Sequence, residues 1–411
     1  MLKCEECGHE DSDCLANHLR EEHGLTPEAY QIRHPGSPVF SQRLLDQFAQ
    51  TRTNIRREHP PAPEDLTVMF AEVPFEVNAD VPASACLPLP DCYRLPRHKP
   101  QNSTSDNLAT KILHALVCLR YHRSMYIWGL PGSGKDALFH AWSALIRQPA
   151  IIKSVKPGTD IESWFFSRAF NEHGTYWEEG AVLPALRDGY LTTTGRRIPY
   201  LLLISDLDRA DRNQAEHLRL ILDSIRGRID GPAGKTYNIL SGTMVVATGN
   251  TAGGGDERGR MISANPMDAS VMERFNARFK FPWMDWEDEK EIVKAKFPVL
   301  FQACPSALEK VRDVTKNLRE AILKGDLYGE FSHRGLCSFL EHAQDILKFR
   351  LDLGKGVPRD LLQMAACAWI DGLPDELNQQ EALKIMDPHI ATLDEGDTSH
   401  ISGDLLDVNF K

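Results

Sequence analysis

The sequence GLPGSGKD at residues 129–136 decides the fold, and it directly follows the apolar run MYIW at residues 125–128. A strand that runs into a glycine-rich loop and then a helix turns backbone N–H groups inward at the helix N-terminus, where they surround a phosphate chain. The glycines permit the tight turn, and Lys135 can reach the β- and γ-phosphates. The stretch therefore predicts a P-loop, although Asp136 stands where that motif has Ser or Thr.

The bulk composition is that of an ordinary globular protein. A length of 411 residues suggests two or three domains, and 42% apolar and 26% charged residues are common fractions. The net charge of −11 argues against a chain that coats nucleic acid or an anionic membrane. The sequence CEEC at residues 4–7 stands where a signal peptide would be apolar, and the nine cysteines are scattered. We therefore expect a cytoplasmic protein without disulfides or membrane contact.

The amino-terminal residues carry a spacing that suits tetrahedral zinc. The expected ligands are Cys4, Cys7, His18 and His23. The segment from Cys14 to Glu22 has helical character, which places both histidines on one helix, and Cys14 or His34 is a substitute ligand. Because so short a segment has almost no core, metal binding would also fold it.

The same run, CEECGHEDSDCLANHLREEHGLTPEAYQIRHPG, resembles the short bacterial zinc fingers of the MucR/Ros regulators. The resemblance implies a DNA-reading module. The charge of residues 1–35 argues against DNA binding. Acidic side chains outnumber the basic residues Lys3, Arg20 and Arg33, and phosphate contact needs clustered Lys and Arg. We favour a protein-docking or structural finger, with DNA binding as the alternative.

Two further apolar runs predict strands of the same sheet. Residues 200–204 end in Ser205 and Asp206, and residues 243–247 lead to Asn250. Helices are predicted for residues 108–121 and 137–146. Continuous apolar strands between helical segments indicate an α/β fold with a parallel sheet covered on both faces. The loops at the carboxyl ends of the strands then converge on the nucleotide.

Four stretches in order, LLLISDLDRADRNQ, VVATGNTAGGGD, VMERF and SHRGLCSFLEHAQDIL, resemble Walker B, sensor 1, the inter-subunit arginine and sensor 2 of AAA+ ATPases. Within that class the chain looks most like the MoxR group and its CobS branch, the ATPase subunit of cobalt chelatase, over about residues 70–350. The resemblance implies Mg²⁺-dependent ATP hydrolysis and a hexameric ring. It also implies a partner with a von Willebrand A domain.

The resemblance assigns site residues. Those implied to act in catalysis are Asp206, Asn250, Arg274 and Arg334. Those expected to bind the nucleotide are Gly129, Pro131, Gly132, Ser133, Gly134, Lys135, Asp136, Ala137 and Ser205. Asp206 would polarise the attacking water, Asn250 would contact the water or γ-phosphate, and Arg274 would enter a neighbouring subunit's site. Arg334 would contact the γ-phosphate of its own subunit, and Arg278 is a weaker candidate for the inter-subunit role.

The magnesium site departs from the family at two positions. Asp136 replaces the P-loop hydroxyl, and Ser205 stands where Walker B has its first carboxylate. The hydroxyl and the carboxylate normally hold Mg²⁺ together. We expect that the two have exchanged positions, so that Asp136 and Ser205 still offer one carboxylate and one hydroxyl. In a competing register, Asp206 is the metal ligand and Asp208 the base.

The chain is expected to have five parts. These are a zinc finger (1–35), a Pro-rich linker and N-terminal extension (36–105), an AAA+ α/β domain (106–285), a helical lid (286–393) and an acidic tail (394–411). The resemblance also places an insertion that contacts the client between the P-loop and Walker B. Tyr176 and Trp177 in it would either grip the client or be buried.

Two functions from different classes follow. The first is a ring-forming AAA+ ATPase that hydrolyses Mg-ATP to remodel a partner protein. The alternative is a zinc-finger DNA-binding protein whose assembly is switched by nucleotide with little hydrolysis. Salt-sensitive DNA binding by residues 1–40 would favour the alternative.

Overall fold

A computed structural model gives the architecture, and its chain forms two compact units, Met1–Asp65 and Leu66–Lys411. The residues described are 2–11, 15–23, 25, 30, 33–34, 37–42, 67–96, 107–172, 174–222, 227–255 and 264–393. The expected acidic tail and Cys14 lie outside these residues.

The elements are numbered along the chain. The strands are β1 Leu2–Lys3, β2 Glu10–Asp11, β3 Thr67–Phe70, β4 Val73–Glu76, β5 Met125–Trp128, β6 Ala150–Ser154, β7 Phe166–Asn171, β8 Gly174–Glu179, β9 Tyr190–Leu191, β10 Arg197–Ile198, β11 Leu201–Ser205, β12 Arg228–Asp230, β13 Thr236–Asn238, β14 Met244–Gly249 and β15 Ala277–Lys280. The helices are α1 Ala16–His23, α2 Leu108–Arg120, α3 Lys135–Ile146, α4 Val182–Asp188, α5 Arg212–Glu216, α6 Arg219–Leu222, α7 Ala269–Met272, α8 Trp286–Lys296, α9 Pro298–Ala303, α10 Ala307–Lys324, α11 His333–Asp352, α12 Leu361–Ile370 and α13 Glu376–Ile390.

The largest sheet among the described residues has five strands in the order β15-β5-β14-β11-β6, with every neighbouring pair parallel. The central strands β11 and β14 are buried along their whole length, as their continuous apolar sequences predict. The predicted α/β fold with a parallel sheet is therefore confirmed. The P-loop strand β5 lies next to β14, so the loops that follow these two strands are adjacent.

The two faces of the sheet pack against different helices. Leu201 and Leu203 belong to a core shared with α2, α3 and the β3-β4 hairpin, whereas Leu202 and Ile204 face a second core that includes α4. This alternation follows from the two-residue period of a strand. The hairpin lies in the region expected to be a linker, and its Phe75 packs edge-on against Trp142.

The carboxyl-terminal helices α8 to α13 form a bundle with its own core. The apolar residues of the ranges 307–323, 335–353 and 360–371 recur with a helical period, and these ranges agree with α10, α11 and α12 within a few residues. The sequence reasoning did not identify α13, which carries Pro388 inside the helix. Its buried Ala382, Met386 and Ile390 complete the core of the bundle.

The amino-terminal unit is built from the β1-β2 pair and α1. Its small core contains Leu15, Leu19 and Tyr30, each fully buried. Throughout the described part of the chain, no helix combines the length and apolar character needed to cross a membrane.

Candidate nucleotide-binding site

A cavity of about 600 Å³ opens at the carboxyl ends of the strands. Residues 131–137 of the P-loop line it on one side, and the first residues of α11 line it on the other. Gly134 adopts φ +78°, and a Cβ added there would meet no atom within 4 Å, so the loop leaves open space beside the start of α3. The volume suits a nucleotide-sized ligand.

Lys135 connects the P-loop with the end of the neighbouring strand. Its Nζ donates to the carbonyl oxygens of Gly129 at 2.8 Å and Leu130 at 3.2 Å, and to Asn250 Oδ1 at 3.2 Å. Burial lowers the pKa of Lys135, while Asp136 and then Asp206 oppose that shift. The ammonium and the Asn250 amide thus meet at the cavity.

Asp136 lies in the first turn of α3 and lines the cavity. Its Oδ1 accepts a hydrogen bond from Thr248 Oγ1 at 2.7 Å. Ser205 is 5% exposed, and its Oγ has no hydrogen-bond partner among the described residues. The Asp136 carboxylate and the unpartnered Ser205 hydroxyl at the end of β11 are hard oxygen ligands of the kind that Mg²⁺ takes. The residues present therefore fit this ion.

Asp206 follows directly after β11, and it also lines the cavity. Its backbone is left-handed, with φ +56°, a conformation that is uncommon for a residue other than glycine and that is found at functional sites. Burial raises the pKa of Asp206, the Arg209 guanidinium opposes the rise, and the charge of Asp136 adds to it. The Nε of Arg209 lies 3.8 Å from Asp206 Oδ2.

Asp208 has a different environment from Asp206. It is 0% exposed, and its Oδ2 accepts the backbone N–H groups of Asn250 at 2.7 Å and Thr251 at 2.9 Å. The Tyr126 hydroxyl donates to the Thr251 carbonyl oxygen at 2.7 Å. Of the two carboxylates, Asp206 lines the cavity. Asp208 instead holds the loop that carries Asn250.

A family match covers the region that holds the P-loop, β11 and β14. Residues 124–275 match the family model described as AAA domain (dynein-related subfamily). The region of residues 124–275 therefore has the AAA+ P-loop fold. No curated protein matched the chain. Among solved structures, the RuvB Holliday junction branch migration motor of Thermotoga maritima is 15% identical with a TM-score of 0.40, over 67% of this chain and 72% of that one. A candidate ATPase of Cytophaga hutchinsonii is 12% identical with a TM-score of 0.30, over 68% and 90%.

The bundle of α8 to α13 closes one side of the AAA domain's cavity. A Cβ added at Gly132 would lie 2.5 Å from Ser332 Cβ, so the P-loop and the start of α11 touch where only glycine fits. Arg334, the expected sensor 2 arginine, lines the cavity from this helix. His333 and Cys337 line it too, and sequence reasoning missed both.

Residues 90–94 and Pro96 line the far end of the AAA domain's cavity. Tyr93 lies among them, and burial raises its pKa. Sequence reasoning assigned no function to this segment, because the proline-rich composition carries no motif. Its Tyr93 packs against the core that includes Leu108 and Ile112 of α2, and this brings the segment to the site.

Within the part of the chain that the structure describes, Arg274 does not line this cavity. Its Nη1 donates to the Ser270 carbonyl oxygen at 2.5 Å, and the residue is partly buried. This placement differs from that of Arg334, which faces the cavity of its own chain. Arg278 is exposed on β15.

A separate candidate metal site lies in the amino-terminal unit. One ligand atom from each of Cys4, Cys7, His18 and His23 lies within 4.8 Å of the others. Cys7 Sγ is 3.2 Å from His18 Nε2, and the two histidine Nε2 atoms are 3.3 Å apart. Tetrahedral zinc with its usual bond lengths separates two nitrogen ligands by about 3.3 Å, so the four residues fit zinc. His34 instead contacts Glu6 Oε1 at 3.0 Å.

Proposed function

We propose that this chain is a subunit of a ring-forming AAA+ ATPase, of the MoxR group and CobS-like, that hydrolyses Mg-ATP to remodel or activate a partner protein. The observation that carries the proposal is one cavity lined by Lys135, Asp136, Asp206, Asn250 and Arg334. These residues come from the P-loop, the ends of two strands and the helical bundle. Their convergence supports nucleotide hydrolysis coupled to movement of the bundle as a lid.

The nucleotide would be held by the backbone N–H groups of the P-loop and by Lys135. Asp136 and Ser205 would hold Mg²⁺, which neutralises charge on the phosphates when bound. Asp206 would orient the attacking water as general base, because it faces the cavity while Asp208 is occupied by backbone donors.

The ring is inferred from the two arginines. Arg334 would contact the phosphates of its own subunit, since it lines that cavity. Arg274 would act on a neighbour's nucleotide, where a positive charge stabilises the transferring phosphoryl group. A hexamer would then be needed for full activity.

The β7-β8 hairpin is the proposed client contact. Phe170 is 78% exposed, Tyr176 and Trp177 are each 40% exposed, and every residue of β8 is exposed. The Arg168 guanidinium lies 4.9 Å from the centre of the Trp177 ring. Exposed aromatic side chains on one hairpin suit a partner protein, for which we propose one bearing a von Willebrand A domain.

The five expected parts of the chain are retained in this proposal, with residues 67–96 contributing to the nucleotide-binding unit. The zinc finger would serve protein docking, since its acidic surface suits phosphate contact poorly.

ATP turnover measured alone and with a von Willebrand A domain protein that co-purifies tests the proposal. We expect Mg²⁺-dependent turnover that the partner increases, and loss of turnover in Lys135→Ala. Absence of turnover under both conditions would contradict the ATPase. Turnover that no such partner changes would contradict the remodelling role.

A further inference from the structure

Thr248 and Asp136 form a contact that neither the sensor 1 motif nor the P-loop motif predicts. The Thr248 hydroxyl donates to Asp136 Oδ1 at 2.7 Å, across 112 residues of sequence. Thr248 is 1% exposed, yet it lines the nucleotide cavity. Asp136 is partly buried at the start of α3 and lines the same cavity.

The position of Thr248 follows from strand alternation. Met244 and Val246 of β14 lie in the core beneath α3, and Thr248 has the same parity, so its side chain faces the start of that helix. Ser205 has the same parity as Leu201 and Leu203 on the neighbouring strand. Two hydroxyls on adjacent strands therefore lie on the face covered by α3.

The contact constrains the carboxylate of Asp136. A hydroxyl that donates to Oδ1 fixes the side-chain rotamer and leaves Oδ2 available to a cation. Asp206 lines the same cavity as Asp136, so two carboxylates share the site. Repulsion between two neighbouring carboxylates moves Asp136 away from the position in which it can bind a cation. An uncharged donor such as the Thr248 hydroxyl holds Asp136 in that position and so raises the affinity for the cation.

We propose that Thr248 is a positioning residue that orients Asp136 toward the magnesium ion of bound Mg-nucleotide. The inference rests on the proposed function, because it concerns the metal of the same site. Thr248 acts through Asp136, and Ser205 stays available as the hydroxyl ligand because its Oγ has no hydrogen-bond partner within the described part of the chain.

The test is binding of a fluorescent ADP analogue to the full chain, titrated with MgCl₂ and repeated in EDTA. Thr248→Val removes the hydroxyl and keeps the shape of the side chain, while Thr248→Ser keeps the donor. Loss of a group that orients a metal ligand weakens metal affinity about tenfold or more. We expect Thr248→Val to raise the half-saturating Mg²⁺ concentration by about that factor and to leave binding in EDTA unchanged, with Thr248→Ser close to wild type.

The matched control is Thr315→Val. Thr315 is also buried, at 3% exposure, but it lies on α10 in the helical bundle. It should leave the Mg²⁺ requirement unchanged. Thr248→Ala is a second variant without the hydroxyl, in case Thr248→Val does not fold. In an Asp136→Asn background, Thr248→Val or Thr248→Ala should cause no further loss.

Three results would overturn the inference. They are an unchanged Mg²⁺ requirement in the variants without the hydroxyl, an equal loss with Mg²⁺ and in EDTA, and a full effect in the Asp136→Asn background. If the wild-type chain itself bound no Mg-nucleotide, the proposed function and this inference would fall together. If the wild-type chain bound Mg-nucleotide and the variants without the hydroxyl showed the same Mg²⁺ requirement, the inference alone would fall.

Discussion

Glu289 and Arg319 form a bidentate ion pair inside the helical bundle. The Arg319 Nη1 and Nη2 atoms donate to the two carboxylate oxygens at 2.7 and 2.8 Å, and Glu289 is 0% exposed. The His333 ring contacts the same carboxylate at 2.9 Å and also lines the nucleotide cavity. One buried carboxylate therefore joins the starts of α8 and α11 to the middle of α10.

Replacing Glu289 should destabilise the bundle strongly. Glu289→Ala leaves a buried guanidinium without its partner, and breaking such a pair costs about 3 kcal/mol or more. The control is Glu320→Ala, because Glu320 is exposed and lies 3.8 Å from Lys324, where a pair contributes about 0.5 kcal/mol or less. Urea denaturation of the full chain measures both, and equal losses would contradict a special role for Glu289.

The stability of the bundle should depend on the charge of His333. Burial alone lowers the pKa of His333, but the hydrogen bonds with Cys337 and Glu289 outweigh it and raise that pKa to about 9. The charged form of His333 is therefore favoured in the folded state. Its contribution to the free energy of unfolding is full below about pH 6.5 and is lost as the pH rises to about 9. The melting temperature should fall across this window. His333→Gln should flatten that slope, and a slope unchanged in the variant would refute the assignment.

The exchange of metal ligands predicts a rescue. Asp136→Ala should abolish Mg²⁺-dependent nucleotide binding, because the carboxylate that faces the cavity is removed. Asp136→Ser combined with Ser205→Asp should restore some turnover that neither single change supports. ATP turnover of these four variants and of the wild type measures this, and unimpaired turnover in Asp136→Ala would disprove the exchange.

Arg274 should act on a neighbouring subunit. Arg274→Ala is expected to lower turnover by about 10³-fold while nucleotide affinity stays unchanged, because such an arginine stabilises the transition state. Mixing Arg274→Ala with Asp206→Asn subunits should recover part of the turnover if the arginine is supplied in trans. Arg278→Ala tests the weaker candidate for this role, which is exposed on β15, and should lower turnover much less. A mixture with no recovery would place the function of Arg274 within its own subunit.

Zinc should be required for the amino-terminal unit. The wild-type chain and Cys367→Ser, which changes an exposed cysteine elsewhere, should retain about one zinc ion each, whereas Cys7→Ser should lose it. Chelation should expose the bond after Arg20 in α1 to trypsin, because the metal supplies most of the folding free energy of so small a unit. Metal content and intact-mass analysis check both expectations. Equal zinc content in the wild type and Cys7→Ser would contradict the site, and salt-sensitive DNA retardation would favour the DNA-reading alternative.

Features that depend on near neighbours in the chain could be predicted from the sequence. The P-loop, the strands that became β5, β11 and β14, and the helices around them follow from glycine placement and hydrophobic period. The sequence favoured Asp206 over Asp208 as the base but left the competing register open, because the two stand two residues apart in the same motif. The left-handed backbone at Asp206 and the backbone donors at Asp208 distinguish them in the structure.

The sequence by itself determined the class of fold, the order of the motifs and the chemical types assembled for nucleotide binding, because each is encoded in short spacings. Tertiary structure alone decided which side chains meet. It placed Thr248 against Asp136, joined His333 to Glu289 and brought residues 90–94 to the cavity. Those contacts depend on strand order and helix packing across many residues, and no local period specifies them.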